Sequence, residues 1–181
     1  MIVEYPFDDS YYFKKRYFDN GVIFDTCVLM IFFLDKYVKL NPEKNFILEK
    51  ANIKENQIQC LSTMLTNFRI SKVIITPYIL SEFINKIRKE LKSEYKIIKK
   101  ECLEDLKNFD EIQINKNDLL SHNKFIDYGN DISLFLATEK HIRQFKHSCI
   151  ISFDGRFIRN VFNDEKKEVL AFDLSTLQYL V

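Results

Sequence analysis

Residues 21–34 constrain this chain more than any other stretch. Gly21-Val22-Ile23-Phe24 is a short apolar run ending on Asp25, and Thr26 to Leu34 continues with the apolar density of a helix. A short apolar run entered at a glycine suits a strand buried on both faces of a parallel sheet. The carboxyl end of such a strand is where open α/β sheets gather their ligands, and Asp25 falls there. Two further runs have the same character. Lys72-Val73-Ile74-Ile75-Thr76 meets Pro77, and Ser148-Cys149-Ile150-Ile151-Ser152 meets Phe153-Asp154-Gly155. A last strand is expected over 168–172.

Helical spacing fills the intervals. A helix is expected over 27–39, ended by Asn41-Pro42, and another over 54–68 on Ile58, Leu61, Leu65 and Phe68. Pro77, with Thr76 as its cap, opens a helix predicted to run unbroken from Tyr78 towards Phe109. Its apolar stripe is Leu80, Ile84, Ile87, Leu91, Tyr95, Ile98, Cys102 and Leu106. The lysines and glutamates opposite read as a solvated face with i,i+4 pairs. Helices are also expected over 116–127 and from Asp131 to Gln144, parted by Tyr128-Gly129-Asn130. A short amphipathic piece should follow the Asp154-Gly155 turn, and 43–53 reads as loop with a short extended piece.

Strand–helix alternation without a hairpin signal predicts an α/β fold, a central parallel sheet covered by helices on both faces. Composition agrees. Three glycines and three prolines are too few for a turn-rich all-β fold, while 46% hydrophobic residues and 17 phenylalanines supply a packed core. At 181 residues the chain reads as one domain, with an aromatic arm over 1–20 laid on a core of about 21–175. A net charge of +1 gives no global attraction to nucleic acid. Cys27, Cys60, Cys102 and Cys149 are scattered and read as reduced thiols of a cytoplasmic protein. No apolar run is long enough for a membrane span.

Four acids stand at strand ends or helix starts: Asp25, Glu82, Asp131 and Asp154. Each has an ordinary role available: a helix cap for Asp25, favourable charge near a helix start for Glu82 and Asp131, a turn for Asp154. Together they fall at the same end of a parallel sheet. Four converging carboxylates repel unless cations neutralise them, and hard oxygen donors in this number suit Mg²⁺ or Mn²⁺. Such ions support phosphodiester hydrolysis without a His or Cys nucleophile.

The order Ile23-Phe24-Asp25-Thr26, then Thr76-Pro77 with Ser81-Glu82, then Gly129-Asn130-Asp131, then Ser152-Phe153-Asp154-Gly155-Arg156-Phe157 resembles a PIN domain over about residues 21–175. The resemblance implies a three-layer α/β/α sandwich and a metal-dependent endoribonuclease. Asp25, Glu82, Asp131 and Asp154 would be its catalytic, metal-binding acids. Ser152 would assist metal or water placement, with Thr26 and Arg156 beside it on the substrate side. RNA would be the partner, together with a small antitoxin protein if the chain is the toxin of a toxin–antitoxin pair, and a homodimer is a further family expectation. Cys27 departs from the small polar residue common at that position, and Phe153 replaces a polar one. Arg156 and Arg159 are candidates for a phosphate clamp. The competing reading is a non-catalytic PIN-like module that binds protein or RNA. An acid-pocket phosphotransferase or receiver fits less well, because the acid a phosphatase would need stands as Cys27.

Overall fold

The computed structural model describes residues 2–3, 11–162 and 168–177. Six strands form one sheet: β1 (Ile2–Val3), β2 (Val22–Phe24), β3 (Val73–Ile75), β4 (Asp110–Glu111), β5 (Ser148–Ser152) and β6 (Val169–Asp173). Their order is β1-β6-β5-β2-β3-β4, and every neighbouring pair is parallel. In register, Ile23 lies opposite Ile74 on one side and Ile150 on the other, and Ser152 opposite Asp173. Every residue of β2, β3, β5 and β6 is buried, as expected for strands covered on both faces.

The helices are α1 (Tyr11–Phe18), α2 (Thr26–Leu40), α3 (Phe46–Lys50), α4 (Glu55–Asn67), α5 (Pro77–Glu90), α6 (Tyr95–Leu106), α7 (Lys116–Ser121), α8 (Phe125–Tyr128), α9 (Ile132–Phe145), α10 (Gly155–Val161) and α11 (Leu174–Leu177). Single 3₁₀ turns occupy Pro42–Lys44 and Gly129–Asp131. Helices cross over between the parallel strands, and the burial of every residue of β2, β3, β5 and β6 shows that both faces of the sheet are covered. The result is a three-layer α/β/α sandwich.

Aromatic rings pack between the helices and the sheet. Phe33 packs against Phe83 (centroids 5.3 Å apart) and Phe109 (5.7 Å), tying α2 to α5 and to the end of α6. Phe18 stacks on Phe68 at 4.7 Å and lies 6.0 Å from Phe172. The expected arm is therefore partly core: Tyr17 and Phe18, at the end of α1, are buried. Gly21 then turns the chain into β2 at φ +105°, where a side chain would be strained and its Cβ would press on Ile74. All four cysteines are free.

The continuous helix expected over 78–109 is two helices. Unbroken it would run roughly 48 Å, against roughly 30 Å for the width of a small domain. Leu91 closes α5 by donating to the Ile87 carbonyl at 2.9 Å, and its own carbonyl accepts from Glu94 and Tyr95 at 2.8 and 3.0 Å. Leu91 is fully buried, so the bend is anchored in the core, and α6 returns to α2 through the Lys36–Asp105 ion pair. The region 43–53 is likewise helical rather than extended, because Asn45 starts a turn that buries Ile47 in α3. The helix expected over 116–127 also divides, into α7, capped by the Asn115 side chain, and α8. Asp110 and Glu111 pair with β3 as an exposed edge strand that their side chains gave no reason to expect. Among the described residues no helix is long and apolar enough to cross a membrane.

Candidate active site

Three strand ends and two helix starts meet at the carboxyl edge of the sheet. β2 delivers Asp25, which is 4% exposed and makes no side-chain cap to α2. Its Oδ2 instead accepts from Ser152 Oγ at 2.5 Å, across to the end of the neighbouring β5. The same Ser152 oxygen accepts the backbone N–H of Asp154 at 2.8 Å. One fully buried hydroxyl thus ties the Asp25 carboxylate to the backbone of Asp154. Asp154 itself is exposed at the rim and caps α10, its Oδ1 accepting from Phe157 N–H at 2.9 Å. The expected Asp-Gly turn is therefore a helix start.

Glu82 is set by the start of α5. Thr76 Oγ1 accepts from Ile79 N–H at 3.2 Å, and Pro77 occupies the first turn, where no N–H is needed. Thr76 Oγ1 also shares a 3.0 Å hydrogen bond with Ser133 Oγ of α9. That bond holds the beginnings of α5 and α9 together, and so the acids they carry. Glu82 Oε2 accepts from Thr26 Oγ1 at 3.0 Å, and Glu82 Oε1 pairs with Lys86 Nζ at 3.0 Å. Asp131 closes the 3₁₀ turn before α9, which begins at Gly129 with φ +53°.

The four acids share one electrostatic field. Burial and the nearby charges of Asp25, Glu82 and Asp154 push the Asp131 carboxyl up to about 7, against a smaller opposing effect of Lys86. Burial also raises Asp25, although the Ser152 hydrogen bond and Lys86 favour its charged form. The Asp25 carboxylate, then burial, hold the Cys27 thiol well above its ordinary range, so it is a neutral wall and not a thiolate. Burial works against the Lys86 ammonium, yet its hydrogen bond to Glu82 and the charges of Glu82 and Asp25 hold its pKa above the ordinary lysine value.

The expected acids are thus brought to one edge, while other expectations change. Thr26 and Ser152, expected on the substrate side, are buried with their hydroxyls bonded to the carboxylates of Glu82 and Asp25, an arrangement that positions those acids. Arg159 is held at 2.5 Å by Asp173, a buried acid at the end of β6, and is no free phosphate clamp. Arg156 is exposed on the first turn of α10. Phe153 packs against the core. Lys86 and Asp173 carry roles that sequence reasoning missed. Asp173, which also accepts from Ser175 N–H at 3.0 Å, could have been found as an acid ending a strand before a Ser-Thr helix start.

Carboxylate oxygens in this number have the right chemistry for a hard divalent ion. Their spacing is not a finished ligand set: among the described residues, no three acidic, histidine or cysteine side chains are grouped closely enough to hold a metal. Binding an ion would require these side chains to draw together, with Glu82 leaving Lys86. In comparisons with known proteins, the chain matches no family model, no curated protein and no solved structure.

Proposed function

We propose that the chain is a PIN-like endoribonuclease that hydrolyses RNA phosphodiester bonds with Mg²⁺ or Mn²⁺ held by Asp25, Glu82, Asp131 and Asp154. The observation that carries this reading is how the acids are held: Ser152 Oγ bridges the Asp25 carboxylate and the Asp154 backbone N–H, Thr26 holds Glu82, and Asp131 lies in the field of the other three. A chance acid at a helix start would not also be held by a buried hydroxyl from another element, as Asp25 and Glu82 are. A divalent ion, when bound, would supply charge neutralisation at the phosphodiester and a lowered pKa for the attacking water.

The chain's own groups supply the rest. Ser152 fixes the Asp25 carboxylate at the floor of the site, and Thr26 aims one Glu82 oxygen. Asp154 stands at the exposed rim, where an RNA backbone can approach. Arg156, on the adjacent helical turn, is placed to meet a phosphate by charge-assisted hydrogen bonding. The test is cleavage of a mixed pool of structured and single-stranded RNA with Mn²⁺, Mg²⁺ or EDTA. Wild type should cut only with metal, and Asp25→Asn and Asp154→Asn should each lose cleavage while remaining folded. Cutting by folded Asp25→Asn would refute the assignment.

One observation favours the second reading, a non-catalytic RNA- or protein-binding module. A lysine ammonium already lies against Glu82. Metal-independent RNA binding without cleavage by wild type would decide for that reading.

A further inference from the structure

Lys86 differs from the other lysines of its helix. On α5 the buried residues Ile79, Phe83 and Ile87 define the core-facing stripe, and Glu82 and Lys86 flank it one position earlier. Arg88 and Lys89 project into solvent, whereas the Lys86 side chain is only 37% exposed and its partner Glu82 29%. An i,i+4 pair on an open helix surface is worth a few tenths of a kcal/mol and tells little. This pair is placed among the acids: the Lys86 charge also acts on Asp25 and Asp131, residues of two other chain segments.

We propose that Lys86 is a tethered counter-ion of the acid cluster and competes with the divalent cation for the Glu82 carboxylate. The inference rests on the metal-dependent reading given above. Glu82 has two carboxylate oxygens, one taken by Thr26 and the other by Lys86 Nζ. Each oxygen keeps a free lone pair, but a cation bound there would stand within a few ångströms of the ammonium, and of the two partners only that one repels it. The ammonium is the one on a flexible stem at the solvent side, so it is the partner that yields. Lys86 keeps the cluster tolerable without metal and weakens metal binding in the same act. Full occupancy would then require a higher free-ion concentration than four carboxylates alone would need.

The experiment is a Mn²⁺ titration read by the EPR signal of the free ion, using the full chain as wild type, Lys86→Gln, Lys86→Arg and Lys89→Gln. Removing one unit charge a few ångströms from the ion, in a partly open setting, should tighten binding by about tenfold. Lys86→Gln should show that gain, while Lys86→Arg and Lys89→Gln should bind as wild type does. In EDTA, Lys86→Gln should melt below Lys89→Gln, and Mn²⁺ should raise its melting temperature more than that of wild type. Wild-type binding with no gain in Lys86→Gln, or an equal gain in Lys89→Gln, overturns the role of Lys86 and leaves the metal reading intact. Binding by Lys86→Gln alone supports the competition in its strongest form. No binding by any of the four proteins overturns the metal reading and this inference together.

Discussion

Asp131 gives the most direct test of whether the four acids meet. Its carboxyl is raised from 3.8 to about 7, by burial first and then by Asp25, Glu82 and Asp154. At about 1.4 kcal/mol per pH unit, that displacement corresponds to about 4 kcal/mol against the charged form. Asp131 is only partly buried, and solvent screening at such a position leaves about 1–2 kcal/mol as the realistic figure. The sign follows from the direction. A carboxyl whose folded pKa is raised binds its proton more tightly in the native state, so stability is fully present below the unfolded pKa near 3.8. It is lost as pH rises towards the folded value near 7, and the loss is complete above it. Asp131→Asn removes the ionisation and with it the penalty. Urea denaturation in EDTA, from about pH 4 to about pH 8, should show the variant gaining about 1–2 kcal/mol over wild type across that window. Mn²⁺ should close most of the gap at the upper end by stabilising wild type. A difference between the two proteins that does not change with pH would mean that neither burial nor the other acids shift Asp131, and the convergence argument would fail.

Two further substitutions probe what holds the site. Ser152→Ala leaves the buried Asp25 carboxylate and the Asp154 N–H without their shared partner, so it should cost about 1–3 kcal/mol by urea denaturation, more at neutral pH than in acid. In the RNA assay it should lose most cleavage; an unchanged rate in the folded variant would remove Ser152 from the positioning role. Phe83→Ala empties a fully buried ring position that meets Phe33 one residue after Glu82, and should cost about 3–5 kcal/mol by the same measurement. A loss under about 1 kcal/mol would mean that α5 is not anchored to α2 through this contact.

The fold was legible where burial and local pattern agree. The runs Val22–Phe24, Val73–Ile75 and Ser148–Ser152 are apolar because helices cover both faces of the sheet, and such strands announce themselves in one dimension. Thr76-Pro77 marked its helix start because cap and proline act within four residues. The break at Leu91 left no such mark. No glycine or proline stands there, and the apolar spacing from Ile87 through Leu91 to Ile98 is compatible with one helix or with two. What divides them is the docking of α6 back on α2, a contact between residues 69 positions apart at Lys36 and Asp105. The edge strand at Asp110–Glu111 was illegible for a related reason, since its pairing is with β3 and its side chains contribute nothing to a core.

The site divides along the same line. Asp25, Glu82, Asp131 and Asp154 could be proposed because strand ends and helix starts have fixed places in a parallel sheet, and topology then gathers what lies there. The partners of the hydroxyls were not legible, since the bond from Ser152 to Asp25 depends on the neighbouring strand and not on its own segment. Lys86 is the sharper case. In sequence, Glu82 and Lys86 form an ordinary acid–base pair of the kind that solvated helices repeat, as Asp35 and Lys39 do on α2 with an ion pair of 2.7 Å. The two pairs have the same spacing and the same charges, and Lys39 remains 65% exposed where Lys86 is 37%. The difference arises because α5 starts at the carboxyl edge between β3 and α9, which aims its flank at Asp25 and Asp131. α2 instead carries its pair on the third turn, away from that edge. A charge pair therefore becomes a candidate regulator of metal binding through where its helix begins, and this placement is what the Lys86→Gln titration measures.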